Sequence, residues 1–293
     1  MKQAARIEIE VWTNHFLGTS EKCEQLLQLL EAVDGGRWQP DRWNECEPIR
    51  LPFTRESLQS ICSAWTEKSG GSITNDLFFK KRKPFAEIWA QCWKAKVPSL
   101  NRVRLSLDAG EFQEKNGGER VSDIVLRFVE WAEAVYATAW HSQQMHWRVA
   151  QGTPLARLKS IDWLTFFGKP YLELFGGEQR VLSGAWYGAR QVSGGLLLLA
   201  SERFDSAEMT HSDRTLLELE NYLGQDSFAR EGFPKVTCRV PAFDLSETVT
   251  QPNGQELRSG SNVLGPTLVL DDANRPIAVL TMSKPSPKPD GSS

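Results

Sequence analysis

The stretch Ile161–Gly177 reads IDWLTFFGKPYLELFGG. Trp163, Leu164, Phe166 and Phe167 fall within five residues, and Gly168, Lys169 and Pro170 then break the run. A short apolar run cut by Gly and Pro is the pattern of a buried strand that ends in a tight turn. Pro170 suits the first position of a following helical turn, and Gly176-Gly177 suits its end. Large aromatics are buried for the area they remove from water, so the Trp and Phe of this stretch are expected in the core. The second half of the chain should hang on this strand–turn–helix.

Ahead of it, Ile7–Trp12 alternates Ile7, Ile9 and Val11 with polar neighbours, the period of a half-buried strand. Thr19 or Ser20 caps a helix carrying Cys23, Leu26, Leu27, Leu30 and Val33, and Asp34-Gly35-Gly36 ends it. Arg37–Pro48 is irregular, with Trp38 and Trp43 in polar surroundings. Two Trp in such a loop either plug the edge of the core or form an exposed anchor. Thr54 caps a helix with Leu58, Ile61, Cys62 and Trp65 on one stripe. Ser72–Phe79 and Phe85–Trp93 read as strands around the basic turn Lys80–Pro84, and Val103–Leu107 reads as a third. Val121, Ile124, Val125, Phe128, Val129, Ala132 and Val135 give Glu119–Trp140 the stripe of one long helix.

Beyond a polar joint, His141–Leu158, come the strand Asp162–Phe167 and a helix over Tyr171–Val181. A buried strand Gly194–Ala200 follows, then a helix Asp213–Leu223 capped by Thr210, then a strand Val236–Phe243. From Glu247 onward Pro, Gly, Asn and Ser are frequent. Leu264–Leu270 and Pro276–Met282 suit a hairpin, and the ending SKPSPKPDGSS is too polar and Pro-rich to fold. Truncation after Met282 should therefore leave the melting temperature nearly unchanged. The expected fold is α+β with mostly antiparallel sheets and flanking helices. It would comprise an N-terminal half over 1–140, a C-terminal half over 141–246 and an extension over 247–293.

With 40% hydrophobic and 24% charged residues, the chain has the composition of a soluble globular protein. The opening MKQAARIEIEVW lacks the apolar core of a secretory signal, and no apolar run reaches the length of a membrane span. A cytoplasmic location follows as the expectation. Five cysteines without a C-x-x-C argue against a disulfide framework and a structural zinc site. No phosphate-cradling, dinucleotide, zinc-protease or nucleophile-elbow motif occurs, and His141 and His146 are spaced for different helix faces. No catalytic residue, cofactor or metal is expected.

Net charge is −3, but unevenly spread. Lys80–Arg104 holds eight basic residues and one acidic, and Glu202–Glu231 holds eight acidic and three basic. Each reads as a solvated face. The acidic block also reads as a surface for a basic partner. Lys80–Lys83 beside Phe85, Trp89 and Trp93 has the basic-plus-aromatic texture of single-strand nucleic-acid binders.

The pattern W-L-T-F-F-G-x-P-Y-L-E-L-F-G-G at 163–177, V-S-G-G-L-L-L-L-A-S at 192–201 and V-P-A-F-D at 240–244 carries a resemblance. Together with the opening IEIEVW and the Trp-bearing loop, it resembles the immunity protein 52 family of bacterial toxin–immunity systems. It also looks like the related immunity proteins found beside type VI secretion effectors. The resemblance implies a cytosolic α+β protein without enzymatic activity that binds and neutralises one cognate toxin. It further implies that this toxin is a nuclease of restriction-endonuclease fold, and that the protein itself contacts neither nucleic acid nor membrane. A nuclease presents cations to phosphate, so an acidic face on its inhibitor would steer association. Asp213, Glu218 and Glu220 on the outer faces of their helix are the candidates for it. Trp38 and Trp43, in the loop with Asp41, Glu45 and Glu47, are the candidate anchors if that loop is exposed. A nucleic-acid-associated adaptor and an enzyme with an unrecognised site are the alternatives.

Overall fold

The alternation of Ile7, Ile9 and Val11 becomes strand β1 (Arg6–Thr13), which lies near the middle of the main sheet. The computed structural model describes residues 5–66, 74–93, 99–143, 158, 160–202, 204, 214–228 and 239–245, and the backbone of 267–270 and 276–280. The chain divides into two compact units, Met1–Gly254 and Gln255–Ser293. After β1 the first unit continues with α1 (Ser20–Ala32), β2 (Arg42–Asn44), β3 (Leu51–Pro52), α2 (Leu58–Thr66), β4 (Thr74–Lys81) and β5 (Ala86–Trp93). Then come β6 (Asn101–Asp108), α3 (Gly117–Ala132), β7 (Tyr136–His141), β8 (Leu164–Gly168), α4 (Lys169–Leu174) and α5 (Glu178–Leu182). It closes with β9 (Gly188–Val192), β10 (Gly195–Leu199) and α6 (Arg214–Leu223). In the second unit β11 (Thr267–Leu270) pairs antiparallel with β12 (Pro276–Leu280), the expected hairpin.

Ten strands form one sheet in the order β3-β2-β4-β5-β6-β1-β7-β8-β10-β9, and every pairing in it is antiparallel. The fold is α+β, as expected. The strands of the two expected halves share this sheet: β7 runs beside β8, with Ala139 opposite Leu164. One face is dry. Ile7, Ile9 and Val11 sit opposite Leu107, Leu105 and Val103, and Ala86, Ile88 and Ala90 continue the layer on β5. Three helices cover it: α1 packs on α2 and α3, α3 on β1 and β7, and α2 on β4. Thr19 caps α1, its hydroxyl accepting from Lys22 N at 3.1 Å.

The stretch 161–177 does what its composition dictates. Strand β8 is buried on both faces, and Trp163, Phe166, Phe167, Tyr171 and Phe175 are all in the core. Helix α4 lays Tyr171 over Tyr136 (centroids 5.4 Å apart) and Phe175 over Phe167 (5.1 Å). Gly168 is required by close approach. A Cβ there would stand 2.9 Å from the Ala134 carbonyl oxygen and from Val135 backbone atoms.

Four expectations need correction. The long helix over Glu119–Trp140 is helix α3, ending at Ala132, followed by strand β7. Glu133 takes left-handed backbone angles (φ 50°, ψ 54°) and turns the chain, so Val135 N can donate to Trp12 O at 2.8 Å. The helix over Tyr171–Val181 is two short helices, α4 and α5, parted by Gly176 and Gly177 at φ 90° and 100°. Arg37–Pro48 is not wholly irregular, because β2 runs along β4. Residues 239–245 form no strand, while 236–238 lie outside the described residues. Strand β9 was not foreseen; Thr210, Asp213 and the tail from Ser283 also lie outside the described residues.

The turn after α3 makes one test of electrostatics. Lys22 Nζ bonds Glu133 Oε1 at 2.9 Å and the Trp131 carbonyl at 2.8 Å. The Lys22 hydrogen bond holds the Glu133 carboxyl below its ordinary range. A depressed carboxylate contributes stability above its unfolded pKa and loses it as pH falls through the folded one. The melting-temperature gap between wild type and Lys22→Met should therefore narrow between about pH 7 and about pH 3. The change should be small, since the Glu133 side chain is 58% exposed. A gap that is constant with pH would refute the assignment.

Candidate functional site

Burial alternates along β4 as far as Lys80 and throughout β5 and β6, so one face of these strands is buried and the other half-exposed. The open face is set by register. One row across the strands runs Asp76, Gln91, Arg102, Trp12. The next runs Asn44, Phe78, Trp89, Arg104, Glu10. A third runs Arg42, Lys80, Glu87, Ser106, Glu8. The polar half of each alternating strand thus makes one contiguous surface of tryptophans, arginines and carboxylates.

Most of its groups are fixed. Trp89 stacks on Phe78 with centroids 5.9 Å apart and planes 4° from parallel. Its indole N–H donates to Asp76 Oδ1 at 2.7 Å, and Gln91 Nε2 donates to the same oxygen at 3.2 Å. Glu8 accepts from Arg104 Nη2 at 3.2 Å and from Ser106 Oγ at 2.8 Å. Lys80 pairs with Glu87. An aromatic platform held this way loses little side-chain freedom when a partner settles on it.

Arg102 is different. Its guanidinium lies 4.1 Å over the Trp89 ring and 5.2 Å from that of Trp12. Among the described residues it has no hydrogen-bond or ion-pair partner, and its Nε is buried without one. Burial holds this guanidinium below its ordinary range, and the nearby Glu10 carboxylate pulls the other way. Glu10 is itself buried at 7% exposure and also has no bonded partner among the described residues. The face therefore carries a stacked cation with a buried carboxylate beside it, neither of them hydrogen-bonded among the described residues. Trp, Tyr and Arg are the residue types that dominate binding energy at protein interfaces.

The residues expected from sequence are placed elsewhere. Trp38 and Trp43 are core, at 1% and 4% exposure, so the core-plug alternative holds and neither can anchor a partner. Trp43 faces the dry side, opposite Phe79 of β4. Asp41 is exposed but ties the β4–β5 turn, its Oδ2 accepting from Arg82 N at 2.9 Å. Glu45 and Glu47 are exposed. Glu218 is exposed on α6, whereas Glu220 is 5% exposed and accepts from Ile161 N at 3.2 Å. Asp213 lies outside the described residues. Strand β2 is second in the sheet order and β8, next to Ile161, is eighth. At about 4.8 Å per strand the acidic loop and α6 are roughly 29 Å apart, so they do not form one patch. Glu220→Ala should cost about 1–3 kcal/mol by stranding the Ile161 N–H, as read by urea unfolding.

A cleft of about 440 Å³ opens at one end of the sheet, lined in part by Asn14, His15, Glu130, Glu133, Lys169 and Ser193. Among the described residues no group of His, Cys, Asp and Glu is placed to hold a metal ion, and no helix is long and apolar enough to cross a membrane.

The fold is similar to that of the Pseudomonas aeruginosa T6SS protein PA0821, a solved structure. The two share 12% sequence identity with a TM-score of 0.55, over 85% of this chain and 82% of that one. No family model and no curated protein matches the chain.

Proposed function

We propose that this chain is the immunity partner in a type VI secretion effector–immunity pair, a cytoplasmic and non-catalytic protein that binds one cognate toxin. The observation that carries this reading is the half-exposed sheet face, where Arg102 lies over Trp89 and near Trp12, beside the buried carboxylate of Glu10. The fold likeness to a protein of such a secretion system and the resemblance to the immunity protein 52 family support it. The resemblance also implies that the toxin is a nuclease. On this reading the toxin seats on β4, β5, β6 and β1, and the acidic loop and α6 lie outside the contact.

A second reading, binding of single-stranded nucleic acid, draws on the Phe78–Trp89 stack with Lys80, Arg102 and Arg104 beside it. Against it, Glu8, Glu10, Asp76 and Glu87 share the face and would repel phosphate. Affinity purification of the tagged full chain from a toxin-producing host, with mass spectrometry, should yield one stoichiometric effector protein. Amide hydrogen exchange of that complex should show new protection within 74–93 and 101–108. Protection confined to 41–47 and 214–223 would overturn the proposed face. Salt-dependent binding of a labelled oligonucleotide with no captured effector would favour the second reading.

A further inference from the structure

The cleft at the end of the sheet is built by the antiparallel order of neighbouring strands. Strand β1 ends at Thr13, β7 starts at Tyr136, β8 ends at Gly168 and β10 starts at Gly195, and they lie side by side in the order β1-β7-β8-β10. Their connecting residues therefore meet along one edge and line the cleft. The end of α3 is tied to the same edge, because Thr13 Oγ1 donates to the Glu133 carbonyl at 3.3 Å. None of the lining residues belongs to β4, β5 or β6, so the cleft is separate from the face proposed for the toxin.

Its charges are segregated. A helix C-terminus is the negative end of the helix dipole and favours cations. The last turn of α3 nevertheless has no basic residue and carries Glu130, with Glu133 just beyond. Lys22 answers Glu133 at 2.9 Å. The Glu130 carboxylate has no hydrogen-bond or ion-pair partner among the described residues. A carboxylate left uncompensated at the wrong end of a helix breaks a rule that stability alone would keep, and such breaks belong to functional sites. Lys169 lines the cleft from the end of β8. Its contact with Glu173, at 3.9 Å, joins side chains that are 84% and 68% exposed, and such a pair contributes little. The rest of the lining includes buried Val129 and Val135 and half-buried Pro170.

We propose that this cleft binds a short zwitterionic peptide, with its ammonium group against Glu130 at the end of α3 and its carboxylate against Lys169. Two strand spacings separate the end of β1 from that of β8, about 10 Å. A dipeptide extends about 7 Å, and the two charged side chains close the difference. Small apolar side chains suit the valine and proline lining, and a volume of about 440 Å³ is of the size that holds small ligands.

The test is calorimetric titration of the full chain with L-alanyl-L-alanine, which should bind with a Kd below about 1 mM. N-acetylation removes the ammonium group and C-terminal amidation removes the carboxylate, so each capped form should bind at least about 10-fold more weakly. Glu130→Gln should weaken the free dipeptide about 10-fold and leave the N-acetyl form unchanged, and Lys169→Met should do the same for the free dipeptide and the amide. Both positions are exposed, and melting curves of the variants should match wild type. Equal binding of the free and capped forms would overturn the proposal. So would no binding of the free dipeptide up to about 10 mM, or a Glu130→Gln variant that still prefers it to the N-acetyl form. No captured effector is needed, so the result does not depend on the toxin-binding face.

Discussion

Trp38→Ala should lower the free energy of unfolding by about 3–5 kcal/mol. Trp38 is 1% exposed, and its ring stacks on Phe112 at 5.4 Å with an interplanar angle of 17°. Its indole N–H donates to Asp34 Oδ2 at 2.8 Å. Asp34 also receives Arg120 Nη2 at 2.6 Å and Nε at 3.1 Å, so the tryptophan closes a network joining the end of α1 to α3. Alanine removes the stack, one hydrogen bond and most of the volume at a site walled by a ring and an ion pair. Trp38→Phe keeps the stack and loses the donor, which should cost about 1–2 kcal/mol. Guanidinium unfolding of the free protein measures both. An interface anchor would give the opposite pattern: alanine would leave the midpoint unchanged and act only on partner binding.

Arg102→Ala should reverse that pattern. Loss of a guanidinium stacked on one tryptophan and near another costs about 1 kcal/mol of stability. At the contact, removal of a central arginine should weaken binding of the captured effector by about 30-fold or more, mainly through faster dissociation. Arg102→Lys keeps the charge but not the planar stack, so it should recover only part of the loss. Interferometry on purified chain and effector, with melting curves alongside, separates the two effects. Full-strength binding by Arg102→Ala would place the contact away from this face.

How much of this was legible in the sequence depended on whether an element is buried on one side or two. Strands β5 and β6 and helices α1 and α2 are each buried on one side, and β1, though buried on both, alternates apolar residues with glutamate, so their periods of two and 3.6 are written in the residues. Strand β7 is buried on both faces, so YATAWH has no alternation to show. Its apolar residues simply continued the stripe of α3, and the helix ends at Glu133, a residue that carries no stop signal. Strand β2 is three residues long, too short to display a period, so Trp43 reads in the sequence as a tryptophan in a polar loop. Glu220 occupies a polar position on its helix but turns inward, because the backbone N–H of Ile161 needs an acceptor there. That need comes from a segment far away in sequence. The open face was hidden for another reason. Its members are the outward half of ordinary alternating strands, which reads as solvated. The available signal was that these positions hold Trp12, Trp89 and Trp93 where threonine or lysine would serve.

The central place of β1 sets a timetable for the newborn chain. Its neighbours are β6, at residues 101–108, and β7, at 136–141. Strand β1 is synthesised ahead of both of its partners and waits for them. At roughly 5–20 residues per second, the delay is several seconds to half a minute. During that interval Ile7, Ile9 and Val11 have no sheet to join, and helix α1 has no surface to cover. A nascent chain in this condition is a natural client for a holdase.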